Sequence, residues 1–291
     1  MGDSSMTTLL FPGQGSQTPD MRESVERHRP DLLELALREV GDDLFERAGD
    51  GTRWAQPAIF CAALAGYEQL RASTSADLMA GHSLGEIAAL VAADSISAED
   101  GLRLVAARGR LMQEAAEETG DGGMIAVRAR GDRGPIHEVA EATGLSIAND
   151  NAPDQLVLSG ATAALDEAEA ALSERKVRAK RLPVAGAFHS PLMEPAVEPF
   201  RALVGETEIG APNVPVYSCV TEPFDDIPAR LVEAITSPVR WLDVMRSLER
   251  AGARRFVETG PGKVLTNLVN KSLDGVQAEA PLSEPAEAAH A

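Results

Sequence analysis

The chain has 291 residues, 44% of them hydrophobic, enough for two ordinary domains or one large α/β domain carrying an insertion. Its net charge of −18 at pH 7 argues against nucleic acid as a partner, since that needs a basic surface. No run approaches the ~20 apolar residues of a membrane span, residues Met1–Met6 carry no apolar signal region, and Cys61 and Cys219, far apart and in no CxxC, read as reduced core thiols of a cytoplasmic protein.

Thr7 to Phe11 is a short β-prone run, broken by Pro12-Gly13-Gln14-Gly15-Ser16-Gln17. No third glycine completes GxGxxG and no P-loop Lys-Ser/Thr follows, so phosphate binding fails in detail. What remains is a tight loop with exposed backbone N–H groups at a strand's C-terminal end, where α/β proteins place their sites. Asp31 to Val40 and Pro57 to Leu70 read as helices, with Pro57 suited to a first turn.

Gly81-His82-Ser83-Leu84-Gly85 is Gly-x-Ser-x-Gly between the apolar run Ala76 to Ala80 and the helical pattern Glu86 to Ala93. Strand, sharp turn and helix form the context of a nucleophile elbow, with Ser83 Oγ clear of the sheet and the Leu84 N–H free to meet an oxyanion. The plainer reading of the pentapeptide is a glycine-bounded turn that holds a serine. Ser97-Ala98-Glu99-Asp100 then carries an N-cap signature. In the helix it opens, Leu104, Arg108 and Met112 share one stripe at i, i+4 and i+8. Either the Arg108 stem lies along apolar neighbours with its head in water, or a buried guanidinium awaits a carboxylate that it can grip bidentately.

From Gly123 the rhythm changes. Met124 to Ala129 reads as strand, Gly134 to Thr143 as helix, Leu145 to Asn149 as strand, Asp150 to Asp154 as turn, Gln155 to Ser159 as strand, Thr162 to Arg175 as helix, and Lys176 to Val184 as a last extended run. The order βαββαβ is that of a ferredoxin-like unit, inserted here into a larger α/β subdomain. Within it Arg175, Lys176, Arg178, Lys180 and Arg181 place five positive charges in seven residues. That run reads equally as a solvated strand face or as a docking site for an acidic partner.

Gly186 to Met193 rejoins the core. A helix from Glu194 to Leu203, a strand from Val214 to Ser218, a helix from Ile227 to Ile235 and another starting at Ser237-Pro238-Val239-Arg240-Trp241 follow. Arg255 to Glu258 reads as a strand ending in Thr259-Gly260-Pro261-Gly262, and Lys263 to Leu273 as the last helix. The Ala/Pro/Glu-rich tail is expected to be disordered from about Gly275. The expected layout is a discontinuous catalytic subdomain over 1–122 and 186–274, the insert over 123–185, and the tail over 275–291.

A serine nucleophile needs a general base, and histidine serves near neutral pH. His28 falls in a polar loop, His290 in the tail and His137 in the inserted helix. His82 adjoins Ser83 and should point away from it. His189 is left, and it follows the serine in the chain as elbow logic requires. A histidine satisfied within its own loop is the competing reading. No Asp or Glu stands out as its partner.

Taken together, Phe11 to Gln17, Gly81 to Glu86, Arg108-Gly109-Arg110-Leu111-Met112-Gln113, Asn149 to Gln155, Ala187-Phe188-His189-Ser190 and Glu258 to Lys263 resemble one family over almost the whole chain. It is the malonyl-CoA:acyl carrier protein transacylases, with the related acyltransferases of polyketide synthases. The resemblance implies an α/β fold whose large α/β-hydrolase-like core has a parallel sheet and carries the ferredoxin-like insert. It implies Ser83 as nucleophile, His189 as its base, the main-chain N–H groups of Gln14 and Leu84 as the oxyanion hole, and Arg108 on the free carboxylate of a malonyl group. The histidine would be oriented by main-chain carbonyls, one of them mapping to Arg240. Phe188 would crowd the acyl α-carbon and disfavour a branch.

The activity so implied is transfer of malonyl from malonyl-CoA to the phosphopantetheine thiol of an acyl carrier protein, through an acyl-enzyme and with no bound cofactor or metal. It would supply fatty-acid synthesis or, by the Phe188 motif and Arg240, a polyketide pathway. The protein would be a cytoplasmic monomer without nucleic-acid or membrane partners, docking its acidic carrier through Arg175, Lys176, Arg178, Lys180, Arg181, Lys263 and Lys271. Alternatives are an editing acyl-carrier hydrolase of the same fold, which tends to lose the arginine at position 108, transfer of a different extender, a generic esterase and an inactive carrier-binding scaffold.

Overall fold

A computed structural model describes residues 6–129, 131–184, 186–220 and 223–282. Among the described residues nine strands run in chain order: β1 Met6–Phe11, β2 Leu78–Gly81, β3 Gly122–Arg128, β4 Ser146–Ala152, β5 Gln155–Ala161, β6 Arg178–Arg181, β7 Val216–Tyr217, β8 Ala253–Glu258 and β9 Gln277–Glu279. They form two sheets. The first has the order β7-β2-β1-β8-β9 with every neighbouring pair parallel. The second has the order β4-β5-β3-β6, antiparallel throughout.

The parallel sheet is covered on both faces, as an all-parallel sheet must be. Alternation along β1 shows it: Leu9 and Phe11 enter one hydrophobic core, and Leu10 enters a second with Leu78, Ala80 and Phe256. The first core is walled by helices Thr52–Leu70, Gly85–Ala92 and Ala98–Thr119, the second by helices Trp241–Arg250 and Val264–Ser272. Helices Gly134–Thr143 and Thr162–Glu174 cover one face of the small sheet in a third core. From the opposite face Met124, Ala148 and Val157 join the first core, so the two sheets share packed side chains. Among the described residues no helix is long and apolar enough to cross a membrane.

Several elements differ from their sequence expectation. Helix Thr52–Leu70 starts before Pro57, which lies inside it and is buried. Gly51 precedes the helix with extended backbone, so the break falls there. His28 ends a helix, Met21–His28, and does not lie in a loop. Asp150, Asn151 and Ala152 belong to β4, which leaves only Pro153-Asp154 to turn the hairpin. Pairing with β5 outweighs the turn propensity of Asp and Asn, and register shifts between Ile147 and Asn149 and between Asp150 and Ala152 accommodate them. The expected disorder from Gly275 is overturned for residues 277–279: β9 pairs in parallel with β8, and Arg255 on β8 binds Glu279 at 2.6 Å. The rest of that expectation, from 283 onward and including His290, lies outside the described residues.

Candidate active site

Ser83 sits in the turn His82-Ser83-Leu84 between β2 and helix Gly85–Ala92, with a φ of +54°. A non-glycine residue in the left-handed region is strained, and such strain turns a chain sharply enough to lift a side chain off the sheet. The turn needs glycine at 85, because a Cβ there would stand 2.2 Å from the carbonyl oxygen of Phe11. This contact seats the elbow against the end of β1, where the Pro12 to Gln17 loop begins.

Ser83 Oγ lies 2.9 Å from His189 Nε2. His189, itself at φ +57° and only 5% exposed, turns Nδ1 to the carbonyl oxygens of Ala234 at 2.9 Å and Ser237 at 3.2 Å. A carbonyl only accepts, so the proton resides on Nδ1 and Nε2 is the lone-pair nitrogen facing the serine. Burial, with the charge of Arg108 and then His82 adding to it, holds the imidazole down at about 3. A neutral histidine is the competent form of a base.

The Arg240 carbonyl does not orient His189. It accepts from the N–H groups of Asp243 and Val244 at 3.1 Å and so opens helix Trp241–Arg250. The orienting carbonyls come three to six residues earlier, from the turn after helix Ile227–Glu233. That segment is in turn tied to the small sheet: Val239 donates to Ala148 at 2.8 Å and accepts from Asp150 at 2.9 Å.

Arg108 is 3% exposed, between Leu104 and Met112 on helix Ala98–Thr119. Its head does not reach water. Nη2 donates to Ser83 Oγ at 3.1 Å and Nη1 to Gln56 Oε1 at 2.8 Å. Burial lowers it to about 10, opposed by the charge of Glu86, and it stays cationic at neutral pH. Glu86 is itself buried and pushed up to about 7 by desolvation, against hydrogen bonds from the Cys219 N–H and the Ser218 hydroxyl.

Gln14 and Leu84 flank this cluster. Among the described residues neither backbone N–H has a hydrogen-bond acceptor; Leu84 stands at a helix N-terminus, where the first N–H groups lack intrahelical partners. Phe188 is buried, its ring over Gly186 and beside Ala116 of the Arg108 helix. His82 points away from Ser83, with Nε2 2.9 Å from Asn151 Oδ1 and its ring 5.3 Å from that of Trp241. His137 is exposed on its helix.

The basic residues divide. Arg178 and Lys180 are exposed on β6 and line a groove of about 690 Å³ with Arg128 and Gln155. Arg181 faces the other way, paired with Asp166 and Glu169, and Arg175 lies 3.8 Å from Glu138. Lys176 is exposed at the turn before β6. Lys263 borders a second groove with Thr18, Asp20 and Pro261, and Lys271 lies in the last turn of helix Val264–Ser272 after it.

Sequence reasoning missed Gln56, Ala234 and Ser237. Gln56 had a signal, as the lone polar side chain in the buried run Trp54 to Cys61. Ala234 and Ser237 act through carbonyls, which leave no trace in side-chain identity. Among the described residues no cluster of three or more His, Cys, Asp or Glu could hold a metal ion.

Residues 8–284 match the acyl transferase domain family. Over 298 residues the chain is 36% identical to the malonyl CoA-acyl carrier protein transacylase of Escherichia coli K12, covering 95% of this chain and 96% of that one. It is 40% identical over 286 residues to the polyketide biosynthesis protein ThaF of Burkholderia thailandensis, covering 92% of this chain but 24% of that protein. Among solved structures, the malonyl-CoA:acyl carrier protein transacylase of Xanthomonas oryzae superposes with a TM-score of 0.87 at 36% identity, covering 94% of each chain. A malonyl-transacylase in complex with its type II polyketide acyl-carrier protein superposes with a TM-score of 0.85 at 31% identity, covering 94% of this chain and 95% of that one.

Proposed function

The chain belongs to the acyl transferase domain family, and we infer that it is a malonyl-CoA:acyl carrier protein transacylase. The observation that carries this is Ser83 Oγ held between a neutral imidazole and a buried guanidinium, 2.9 Å from His189 Nε2 and 3.1 Å from Arg108 Nη2. The base makes the oxygen a nucleophile; the cation makes the site one for acyl groups that bear a carboxylate.

Ser83 Oγ attacks the thioester carbonyl of malonyl-CoA while its proton passes to His189 Nε2. The N–H groups of Gln14 and Leu84 hold the oxyanion, a donor of this kind supplying about 3 kcal/mol. The Ala234 and Ser237 carbonyls take the Nδ1–H and stabilise the imidazolium in the place of an acid. The C–S bond breaks, the leaving thiol takes the proton from Nε2, and malonyl remains as an ester on Ser83. During loading Arg108 exchanges its bond to the serine for the malonyl carboxylate. The phosphopantetheine thiol of the carrier then repeats the steps in reverse, and kinetics are ping-pong. No cofactor or metal takes part. Phe188 narrows the pocket against α-branched acyl groups, a preference worth about 1–3 kcal/mol per methyl.

The large subdomain is taken as an α/β-hydrolase-like core and the small sheet as a ferredoxin-like insert, supported by the strand order β4-β5-β3-β6. The protein works as a cytoplasmic monomer. Exposed Arg178, Lys180 and Lys176 lead its docking of an acidic carrier, and Arg181 and Arg175, already ion-paired, contribute less. The Phe188 motif favours a polyketide carrier over a fatty-acid one.

Intact-mass measurement after mixing with malonyl-CoA, then with holo carrier proteins, tests the reading. The expected result is one malonyl adduct that moves to the carrier. No adduct on the wild type, or an adduct persisting in Ser83→Ala, overturns it.

A further inference from the structure

The hydrogen bonds around Arg108 continue away from the serine. Gln56 Oε1 accepts from Arg108 Nη1 at 2.8 Å; Gln56 Nε2 donates to Thr52 Oγ1 at 2.9 Å; Thr52 Oγ1 donates to Gln14 Oε1 at 2.8 Å. Thr52 and Gln56 are four residues apart on helix Thr52–Leu70, hence on one face. Direction is forced from the guanidinium end. A guanidinium only donates, so the Gln56 amide must turn its oxygen to Arg108 and its nitrogen to Thr52. Met112 Sδ, 3.6 Å away, offers that nitrogen a second acceptor. Gln56 is 2% exposed, so no solvent competes for either end.

The two helices are brought together for this contact. Beside Arg108 stands Gly109, where a Cβ would lie 2.7 Å from the carbonyl oxygen of Thr52. Any larger residue would push apart the helices that carry Gln56 and Arg108.

The partner's charge matters more than its presence. A buried guanidinium is ordinarily held by a carboxylate. Among the described residues no carboxylate pairs with Arg108, and Glu86 influences it through space, its Oε1 engaged by the Ser218 hydroxyl and the Cys219 N–H. A neutral amide fixes the guanidinium while leaving its charge for an incoming anion. We propose that Gln56 is a positioning residue that selects acyl-CoAs bearing a free carboxylate, because it anchors Arg108 without neutralising it, and that Thr52 holds the amide in place by accepting from its nitrogen. The same chain runs to the side chain of Gln14, whose N–H is assigned to the oxyanion. Carboxylate recognition and the oxyanion loop are thus held by one network.

This inference rests on the malonyl-transfer reading, and its test separates the two. Ser83 loading is measured for wild type and Gln56→Glu with malonyl-CoA and with acetyl-CoA. Glutamate has the same shape but pairs with Arg108. The malonyl-to-acetyl ratio of kcat/KM is expected to fall about 100-fold or more. Thr52→Val serves as a second variant: it removes the hydroxyl that holds both the Gln56 amide and the Gln14 side chain, and is expected to lower kcat for both acyl-CoAs, to raise KM about tenfold for malonyl-CoA alone, and to be rescued by Thr52→Ser. A wild type that takes no malonyl ester overturns the transfer reading, and this inference with it. A wild type that loads malonyl, beside variants that keep its malonyl-to-acetyl ratio or lose both substrates alike, overturns the role of Gln56 alone.

Discussion

Arg108 donates to Ser83 Oγ across 3.1 Å although 25 residues separate them in the chain. The contact holds the serine oxygen from one side while His189 holds it from the other. Because Arg108 can only donate, the serine proton must point to His189 Nε2, which is the orientation a transfer to that nitrogen requires. One cation thereby aligns the nucleophile at rest and recognises the acyl group when substrate arrives.

Arg108→Ala separates these two duties. Malonyl loading is expected to fall about 100-fold or more, the worth of a charge-assisted pair at roughly 3 kcal/mol, and acetyl loading by less than about tenfold. Single-turnover mass spectrometry with the two acyl-CoAs reads the difference. Equal losses would make Arg108 a structural group.

The acid limb of loading should lie far below the ordinary histidine range. Burial and the neighbouring Arg108 and His82 charges hold His189 at about 3, so it stays neutral, and active, as pH falls through 6.5. A kcat/KM profile for acetyl-CoA is expected to be flat from neutral pH down through 5, within the range where the fold survives. In Arg108→Ala, with one source of positive potential gone, the limb should move upward. A wild-type break near 6.5 would contradict the buried, carboxylate-free setting of this histidine.

Glu86 links stability to pH in the opposite sense. Its folded value is raised from 4.5 to about 7, so between those limits the folded state binds the proton more tightly than the unfolded chain. Its contribution is fully present below pH 4.5 and is lost as pH rises to 7. Relative to Glu86→Gln, the wild type should therefore lose stability over that window, by an amount of order 3 kcal/mol. Denaturant titrations of both proteins at pH 4.5 and 7 check it, and parallel curves would refute it.

Charge reversal on β6 addresses the carrier and leaves the chemistry alone. Arg178→Glu with Lys180→Glu is expected to raise KM for an acidic carrier about tenfold at low salt and to flatten its salt dependence, with malonyl loading from CoA unchanged. Reversal of Arg181, which is held by Asp166 and Glu169, should do less to the carrier. Steady-state transfer across an ionic-strength series distinguishes the two outcomes.

Backbone spacing makes a last test. Gly109→Ala forces a Cβ to within 2.7 Å of the Thr52 carbonyl. Overpacking of this kind costs about 1–3 kcal/mol. Thermal unfolding should show the loss, and malonyl loading should suffer more than acetyl, since the displaced helices carry Gln56 and Arg108.

The local sequence determined what is local. Gly-x-Ser-x-Gly between an apolar run and a helical pattern marked Ser83, because strain and close backbone approach depend on adjacent residues. Periodicity placed Arg108 on a buried stripe, and the alternation of strand and helix marked the inserted unit. The limits came where the determinant was distant or was not a side chain. Asp150 and Asn151 carry the composition of a turn and became strand once β5 paired with them. Gln277 to Glu279 look like part of a polar tail until β8 supplies an edge and Arg255 a charge. The carbonyls that hold His189 belong to Ala234 and Ser237, while that of Arg240 is taken by its own helix. Only the tertiary structure could decide these, because a carbonyl's direction, a sheet edge and the neutral anchor on Arg108 depend on which chain segments lie across the gap, and side-chain type alone does not carry that information.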